Sequence, residues 1–408
     1  MIKKIIYCRV CNCKDIKIVL DLGDHSLSGV FPKEGEDQPI KGPLQLGICQ
    51  GCSLVQLLHS YPPEMMYGDN YGYRSGLNGS MVKHLQSTAI RIHSRYAVEN
   101  KSVILDIGSN DGTLLNSLVQ TQSSLIGIDP TSEKFSEFYN PAVQRIASFF
   151  TEDNFLNNHA QADVIFSMAM FYDLEEPVEF VKQISNCLKK DGVWHFEQSY
   201  LISMLDTNSF DTICHEHVEY YSFQVIERIL EMAGMRVVDI ELNNTNGGSL
   251  AVTAAHVNSK HPESMYVVWL RRYEAKKISD LHEILGAFAQ RVVNQKEIIR
   301  EFVFTAKEQG KKIWGVGAST KGNVLLQYCD LNQESISAIS EVNPYKFDRY
   351  TPGTNIPIKS EQEMLMAMPD IGIVLPWHFK ESIIGGNKEF LERGGRLVFP
   401  LPNIDIVS

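Results

Sequence analysis

Asp211 to Ser222 (DTICHEHVEYYS) packs two histidines, two glutamates, an aspartate and two tyrosines into twelve positions. A zinc-protease H-E-x-x-H is excluded, because the fourth position after His215 is Glu219. Adjacent side chains diverge on a helix or a strand, so His215, Glu216 and His217 do not converge easily on one ion. Proton transfer fits better. An imidazole takes a proton near neutral pH, and a neighbouring glutamate fixes its tautomer. A polar surface turn is the alternative.

A second constellation is Val103 to Leu115, VILDIGSNDGTLL. Its apolar run ends in Asp106, and Gly108, Asn110, Asp111 and Gly112 then form a turn before a segment with helical spacing. Strand, tight turn and helix start together aim backbone N–H groups at an anionic ligand. The next apolar run, SLIGIDP, ends in Asp129, which is spaced to accept from the two hydroxyls of a ribose. The turn reads D-x-G-x-N-D-G rather than G-x-G-x-x-G, so a dinucleotide is not the expected guest. Carboxylate and amide groups suit the ammonium end of an amino-acid-bearing nucleoside, and the predicted cofactor is S-adenosylmethionine.

A third group lies farther on. Lys312 to Gly322 (KIWGVGASTKG) reads as a strand and a glycine turn opening a helix over 323–328. It is not a P-loop, because Asn323 follows Gly322. Gly315, Gly317, Ser319, Thr320 and Lys321 suit a pyrophosphate, and Trp377 and His378 are expected in the same crevice. The NNTNGGS turn, with Asn246, brings backbone N–H groups close to a substrate or merely turns a hairpin. Finally, Cys8-x-x-Cys11 and Cys49-x-x-Cys52 form the paired knuckles of a closed, structural tetrahedral zinc site, with Cys13 left over.

The elements that must position these groups follow from the pattern of apolar residues. Strands are expected over 103–107, 124–128, 163–167, 192–197, 336–341 and 372–375, with another in LAVTAAHV after Gly248. Pro177 to Lys190 reads as a helix with proline at its first position and lysines in its last turn. Phe171, Tyr172 and Asp173 follow a strand end and are expected to border the cofactor. Met265 to Gln309 is predicted as a helical bridge. Pro62 and Pro63 end the cysteine lobe, and a loop with Tyr67, Tyr71 and Tyr73 follows, at least one of which is expected to act as a lid. The fold class is therefore α/β: a small zinc-binding lobe (1–66), a central doubly wound Rossmann-like domain for S-adenosylmethionine (67–298) and a second Rossmann-like α/β domain (299–408).

The chain has 408 residues and a net charge of -11, without a long basic run, which argues against nucleic acid as partner. It has no 18-residue apolar stretch and no signal-peptide core, so the expectation is a soluble, cytoplasmic protein that does not engage a membrane.

The ordered motifs resemble a family. A four-cysteine lobe, Y-x-Y-x-S, L-D-I-G-S-N-D-G-T-L-L, H-E-H-x-x-Y-Y-S, N-G-G-S and a terminal G-x-G-A-x-x-K-G-N unit look like the C-methyltransferases that branch nucleotide-linked 4-keto-6-deoxy sugars, over essentially the whole chain. The resemblance implies that Asp106, Gly108, Asn110, Asp111, Gly112 and Asp129 hold the cofactor. It further implies His217 as base, assisted by Glu216 and Tyr73, with Tyr221, Asn246, Ser319, Lys321 and His378 on the nucleotide sugar, in a monomeric enzyme. The family tyrosine before H-E-H is here Cys214.

The chemistry is coherent without the name. A base removes the proton beside a ketone, donors stabilise the enolate, and the carbon attacks the sulfonium methyl in line. The rivals are an O- or N-methyltransferase, which needs less help from a base, a nicotinamide-dependent oxidoreductase using the C-terminal turn, and a non-enzymatic zinc module.

Overall fold

The computed structural model describes residues 2–66, 73–97 and 101–408. Tyr67 and Tyr71 lie outside the described residues. The N-terminal lobe is an antiparallel sheet of β1 (Ile16–Ser26), β2 (Lys41–Cys49) and β3 (Val55–Leu57). Alternation builds it: Leu44, Leu46 and Ile48 of β2 face inward and are buried, as period-two side chains on one face must be.

The middle domain opens with α1 (Gly79–Tyr96). The Asn78 side chain accepts from the N–H groups of Ser80 and Met81, and Met81, Leu85, Ala89 and Ile92 form the buried stripe. Next come β4 (Val103–Ile107), β5 (Ser124–Ile128), β6 (Val143–Ile146) and β7 (Ala162–Met168). These strands are rich in Val, Ile and Leu because both faces of the sheet are covered.

After α2 (Pro177–Cys187) the expected helix stops short of Lys190. Leu188 leaves the helix to pair with Ala162, and β8 runs from Leu188 to Ser199. Lys189 lies on that strand, where its Nζ holds Asp163 of β7 at 2.8 Å. The chain then makes a two-residue strand, β9 (Glu219–Tyr220), which leaves the domain's own sheet and pairs with β3 of the lobe, Glu219 opposite Gln56 and Tyr220 opposite Val55. Helix α3 (Phe223–Met232) leads to β10 (Met235–Asn243) and β11 (Ser249–His256). The main sheet has the order β10-β11-β8-β7-β4-β5-β6, parallel except for β11.

The helical bridge is two helices, α4 (Met265–Lys277) and α5 (Leu281–Glu308), rather than one. The break falls where the Asp280 side chain caps α5 by accepting from the Glu283 N–H. The expected domain limit at 298/299 falls inside α5. The C-terminal domain holds β12 (Ile313–Val316), α6 (Thr320–Tyr328), β13 (Ile339–Glu341), β14 (Ile358–Ser360), β15 (Ile371–Val374), β16 (Arg396–Phe399) and β17 (Asp405–Val407). Its sheet order is β14-β13-β12-β15-β16-β17. The strand expected over 336–341 is shorter, because only Ile339 to Glu341 pair with β14.

A loop of the lobe clasps this last domain. Ser28 carbonyl accepts from Asn323 Nδ2 at 2.7 Å, Ser26 N–H donates to Gln327 Oε1 at 2.7 Å, and Phe31 carbonyl accepts from Arg349 Nη1 at 2.9 Å. Among the described residues, no helix is long and apolar enough to cross a membrane.

Inside the main sheet, His195 of β8 faces Thr253 of β11 and bonds its hydroxyl at 2.9 Å through Nδ1. Burial, with smaller contributions from Arg91 and His84, lowers its pKa from 6.5 to about 3. The folded ring is therefore neutral where the unfolded one is charged. Below pH 6.5 the unfolded chain binds the extra proton, and this group's contribution to stability falls with pH. His195→Gln lacks that titration. Its deficit in thermal midpoint relative to the unaltered protein is expected to narrow from about pH 7.5 to about pH 5.5, as read by calorimetry; a deficit independent of pH would contradict the neutral assignment.

Candidate functional site

The turn after β4 has three left-handed residues, Gly108 (φ 77°), Asn110 (φ 50°) and Gly112 (φ 75°). Asp106, Asp111 and Asp129 converge on it. Burial first, then repulsion from Asp129 and Asp111, raises Asp106 well above the ordinary carboxylate range. Asp106 has no hydrogen-bond partner among the described residues, and Arg74 is the cation in contact with the group, 3.4 Å from Asp111. Such an acidic cluster fits a ligand that carries ammonium and sulfonium charge, as S-adenosylmethionine does.

Asp129 accepts from the backbone of Asn110 at 2.9 Å and from the N–H and hydroxyl of Thr131 at 2.6 Å each. A carboxylate has about four lone-pair sites, so about one remains for a ribose hydroxyl. Asn110 and Asp111 face the segment before α1. Asn110 Oδ1 accepts from Ser75 N–H at 2.9 Å and Asp111 Oδ2 from Gly76 N–H at 2.8 Å, which fastens Tyr73 to Gly76 over the turn. The Arg74 guanidinium carbon lies over the Phe138 ring, 3.9 Å from its centroid. Tyr73 is 48% exposed, yet burial at its hydroxyl raises its pKa.

A carbon placed on Gly108 would stand 3.1 Å from Met170, so glycine lets the loop after β7 lie against the turn. That loop connects the two constellations. Tyr172 carbonyl accepts from Val218 N–H at 2.9 Å, and the Tyr172 ring packs on His217 with centroids 4.2 Å apart. A cavity of about 10 Å³ at this contact is lined by Tyr172, Ser199, Tyr200, Thr212, His217 and Tyr220, among others.

Adjacent residues of H-E-H do diverge. His215 points into the lobe, where Nδ1 lies 3.2 Å from Ser28 Oγ and Tyr61 packs edge-on at 4.6 Å. The Glu216 carboxylate turns toward the Ser28–Phe31 side. A carbon on Gly29 would sit 2.3 Å from Glu216 Oε1, with Thr320 Oγ1 at 3.7 Å, so only glycine admits it. Burial raises the Glu216 pKa, and its Oε2 has no partner. The tautomer of His217 is therefore fixed not by Glu216 but by the Thr212 carbonyl, 3.0 Å from Nδ1. That backbone acceptor has no signal in residue type. With Nδ1 donating, Nε2 carries the lone pair and makes no hydrogen bond among the described residues. Burial, then the charge of Lys321, lowers the His217 pKa to about 3.

Lys321, Asn246, His378 and His217 gather where the middle and C-terminal domains meet. Asn246 carbonyl accepts from Lys321 Nζ at 2.8 Å, and a carbon on Gly247 would lie 3.7 Å from both Trp377 and His378. Trp377 indole N–H donates to Asp211 Oδ2 at 2.8 Å, a link the sequence did not reveal although both residues stand in stretches it singled out. Ser319 is engaged as the cap of α6, its Oγ accepting from Gly322 N–H at 3.0 Å. Tyr221 is fully buried and stacks on Phe171 at 5.1 Å, so it stands in the core and not in this cluster. Cys214 is also fully buried.

The four predicted zinc ligands come together. The Sγ atoms of Cys8, Cys11, Cys49 and Cys52 lie within 4.8 Å of one another, with Cys8–Cys52 at 3.4 Å and Cys11–Cys49 at 3.5 Å. Zinc–sulfur bonds of about 2.3 Å make tetrahedral edges of about 3.8 Å, so the cage fits the ion. Cys13 is outside it. Arg9, inside the first knuckle, carries its guanidinium to the β9 segment: Nη1 donates to Leu57 carbonyl at 2.7 Å, and Nε lies 3.2 Å from Glu175 and 3.8 Å from Glu219.

Three family models match the chain in succession: a zinc binding domain over residues 8–67, a methyltransferase domain over 81–240, and a C-methyltransferase C-terminal domain over 244–402. The chain is 29% identical to C-methyltransferase NovU of Streptomyces niveus over 413 residues, which covers 100% of this chain and 98% of that protein. Among solved structures, 1,6-didemethyltoxoflavin-N1-methyltransferase of Burkholderia thailandensis aligns with 43% of this chain and 78% of its own, at 12% identity and TM-score 0.34. An S-adenosylmethionine-dependent methyltransferase of Clostridium acetobutylicum aligns with 43% of this chain and 92% of its own, at 14% identity and TM-score 0.34.

Purified protein is expected to carry about one zinc per chain by elemental analysis, as one tetrahedral four-thiolate site requires. Cys49→Ser should release it and lower the thermal midpoint, since the ion's binding energy is folding energy for a small lobe. A metal-free protein of unchanged stability would contradict the assignment.

Proposed function

We propose that this chain, an S-adenosylmethionine-dependent methyltransferase with the domain set of the C-methyltransferases, methylates C3 of a nucleotide-linked 4-keto-6-deoxy sugar, with His217 as the base. The observation that carries this reading is the fixed imidazole: Nδ1 is held by the Thr212 carbonyl at 3.0 Å, and the lone pair of Nε2 is left for a substrate proton. Carbon is a poor nucleophile until it is deprotonated, whereas oxygen and nitrogen acceptors carry lone pairs already, so a positioned base favours carbon over the O- and N-methyl alternatives.

The cofactor supplies an electrophilic methyl group with its own leaving group. The chain supplies the rest. Asp106 and Asp129 hold the cationic nucleoside at the carboxyl edge of the sheet, and Asn110 and Asp111 hold the segment of Tyr73 over it. The His217 Nε2 takes the C3 proton beside the ketone, and Tyr172 keeps the ring in place. The C-terminal domain, with Asn246 and His378 at the junction, positions the sugar so that C3 faces the methyl group; such positioning supplies much of the remaining rate.

His217→Asn is expected to lose about 100-fold or more in methyl transfer, the range of a general base. It should lose the solvent exchange of the C3 proton equally, with cofactor affinity by calorimetry within a few-fold. A panel of nucleotide 4-keto-6-deoxyhexoses, read by mass for the gain of one methyl, tests the substrate class. Product from the asparagine variant at the unaltered rate would reject the base; gain of the methyl on oxygen would reject the reaction.

A further inference from the structure

A lysine on a glycine turn is expected to face a phosphate. Lys321 is the second residue of α6, and its side chain crosses to the middle domain, where Nζ donates to the Asn246 carbonyl at 2.8 Å. A series of neighbouring groups leads from that contact toward the imidazole. Gly247 stands against Trp377 and His378, Trp377 donates to Asp211, and Thr212, the next residue, holds His217 by its carbonyl. An ammonium from one domain and an imidazole from another thus share one cluster.

Among the described residues no carboxylate forms an ion pair with Lys321. Asp211 is in its field, but one oxygen is bound by Trp377 and the other, Oδ1, is buried without a partner. Burial lowers the Lys321 pKa, opposed by Asp211 and Cys214. A cation withdrawn from water without a carboxylate partner costs stability. Such a group is useful where negative charge develops during a reaction, because it requires no reorganisation at that moment.

We propose that Lys321 is a catalytic residue whose ammonium receives the ketone oxygen of the bound sugar and stabilises the negative charge that forms there. This rests on the C3-methylation reading above. The C3–H bond breaks, its proton goes to His217 Nε2, its electron pair forms the C3–C4 double bond, and the carbonyl pair moves onto the oxygen beside Lys321. S-adenosylmethionine, when bound, would supply the methyl group with a neutral thioether as its leaving group, and the carbonyl pair returns as C3 takes up that methyl. Lys321 keeps its proton throughout.

The same charge acts on the base. Lys321 stands second to burial in depressing His217, and it also depresses His378. The Thr212 carbonyl and hydroxyl and the Tyr172 ring lie against the imidazole, and the titratable Tyr200, Glu219 and Tyr220 line the same small cavity; around the ammonium are the Asn246 carbonyl, Asp211, Cys214 and His378. Removing the cation should therefore make His217 more basic while the reaction slows, and normal S-adenosylmethionine binding together with partial recovery by arginine separates this from a loosened fold, which would also expose the imidazole.

The test compares Lys321→Met, Lys321→Gln and Lys321→Arg with the unaltered protein, using the panel sugar that it methylates. Solvent exchange of the C3 proton is followed by NMR in D2O without cofactor, and methyl transfer is followed across pH. Both uncharged variants are expected to bind S-adenosylmethionine normally and to lose about 100-fold in exchange and in kcat, the scale of one oxyanion donor. The acid limb of their rate profile should move to higher pH, and Lys321→Arg should retain more activity than either. Exchange within about three-fold of the unaltered protein, or a loss confined to KM as for a phosphate contact, would overturn the role of Lys321 alone. Absence of exchange in the unaltered protein would overturn the C3 reading and this inference together.

Discussion

The arrangement depends on one short strand that belongs to two domains. Val218 N–H donates to Tyr172 of the middle domain and Val218 carbonyl accepts from Leu57 of the zinc lobe, each at 2.9 Å, so the residue after His217 is fixed from both sides. Glu219 is buried beside Arg9 of the first knuckle, and a guanidinium of such small exposure is costly to leave without its acceptors. The lobe is thus part of the frame around the imidazole. Zinc held by the four converging thiolates would add a cross-link between the two knuckles of that frame.

The two α/β domains use the same local device. In the middle domain Asp129, at the end of the second strand, accepts from the backbone N–H of Asn110 in the glycine turn. In the C-terminal domain Glu341 ends β13 and accepts from the backbone N–H of Ala318, also just past a glycine, at 2.9 Å. Each carboxylate closes its turn against its own sheet. What differs is what lies outside: Asp106 and Asp111 make the first turn acidic, whereas Lys346 Nζ bonds the Ala318 carbonyl at 2.7 Å beside the second.

Much of this was legible in the sequence because it follows from pattern. The apolar runs marked the parallel strands, paired C-x-x-C marked the cage, and H-E-H marked a proton-transfer candidate. What the sequence hid was either backbone or long-range. The Thr212 carbonyl could not be chosen over Glu216, because every residue has a carbonyl. Lys189 and Lys190 resembled a helix end, and tertiary pairing of Leu188 with Ala162 overrode that local preference. Tyr221 looked chemical beside Tyr220, yet it follows the two-residue strand and its ring stacks on Phe171 in the aromatic core. The inward course of Lys321 depends on Asn246, 75 residues away.

The clasp between the lobe and the C-terminal domain has a consequence for assembly. Ser26 and Gln327 are separated by 301 residues, and Phe31 and Arg349 by 318. A chain made from its amino end therefore exposes this loop long before its partners emerge. Contacts of such sequence separation close late, since loop entropy must be overcome first. This loop, translated well before the C-terminal domain, is thus among the last portions to reach its final form, and in the meantime it is exposed to whatever shelters incomplete chains.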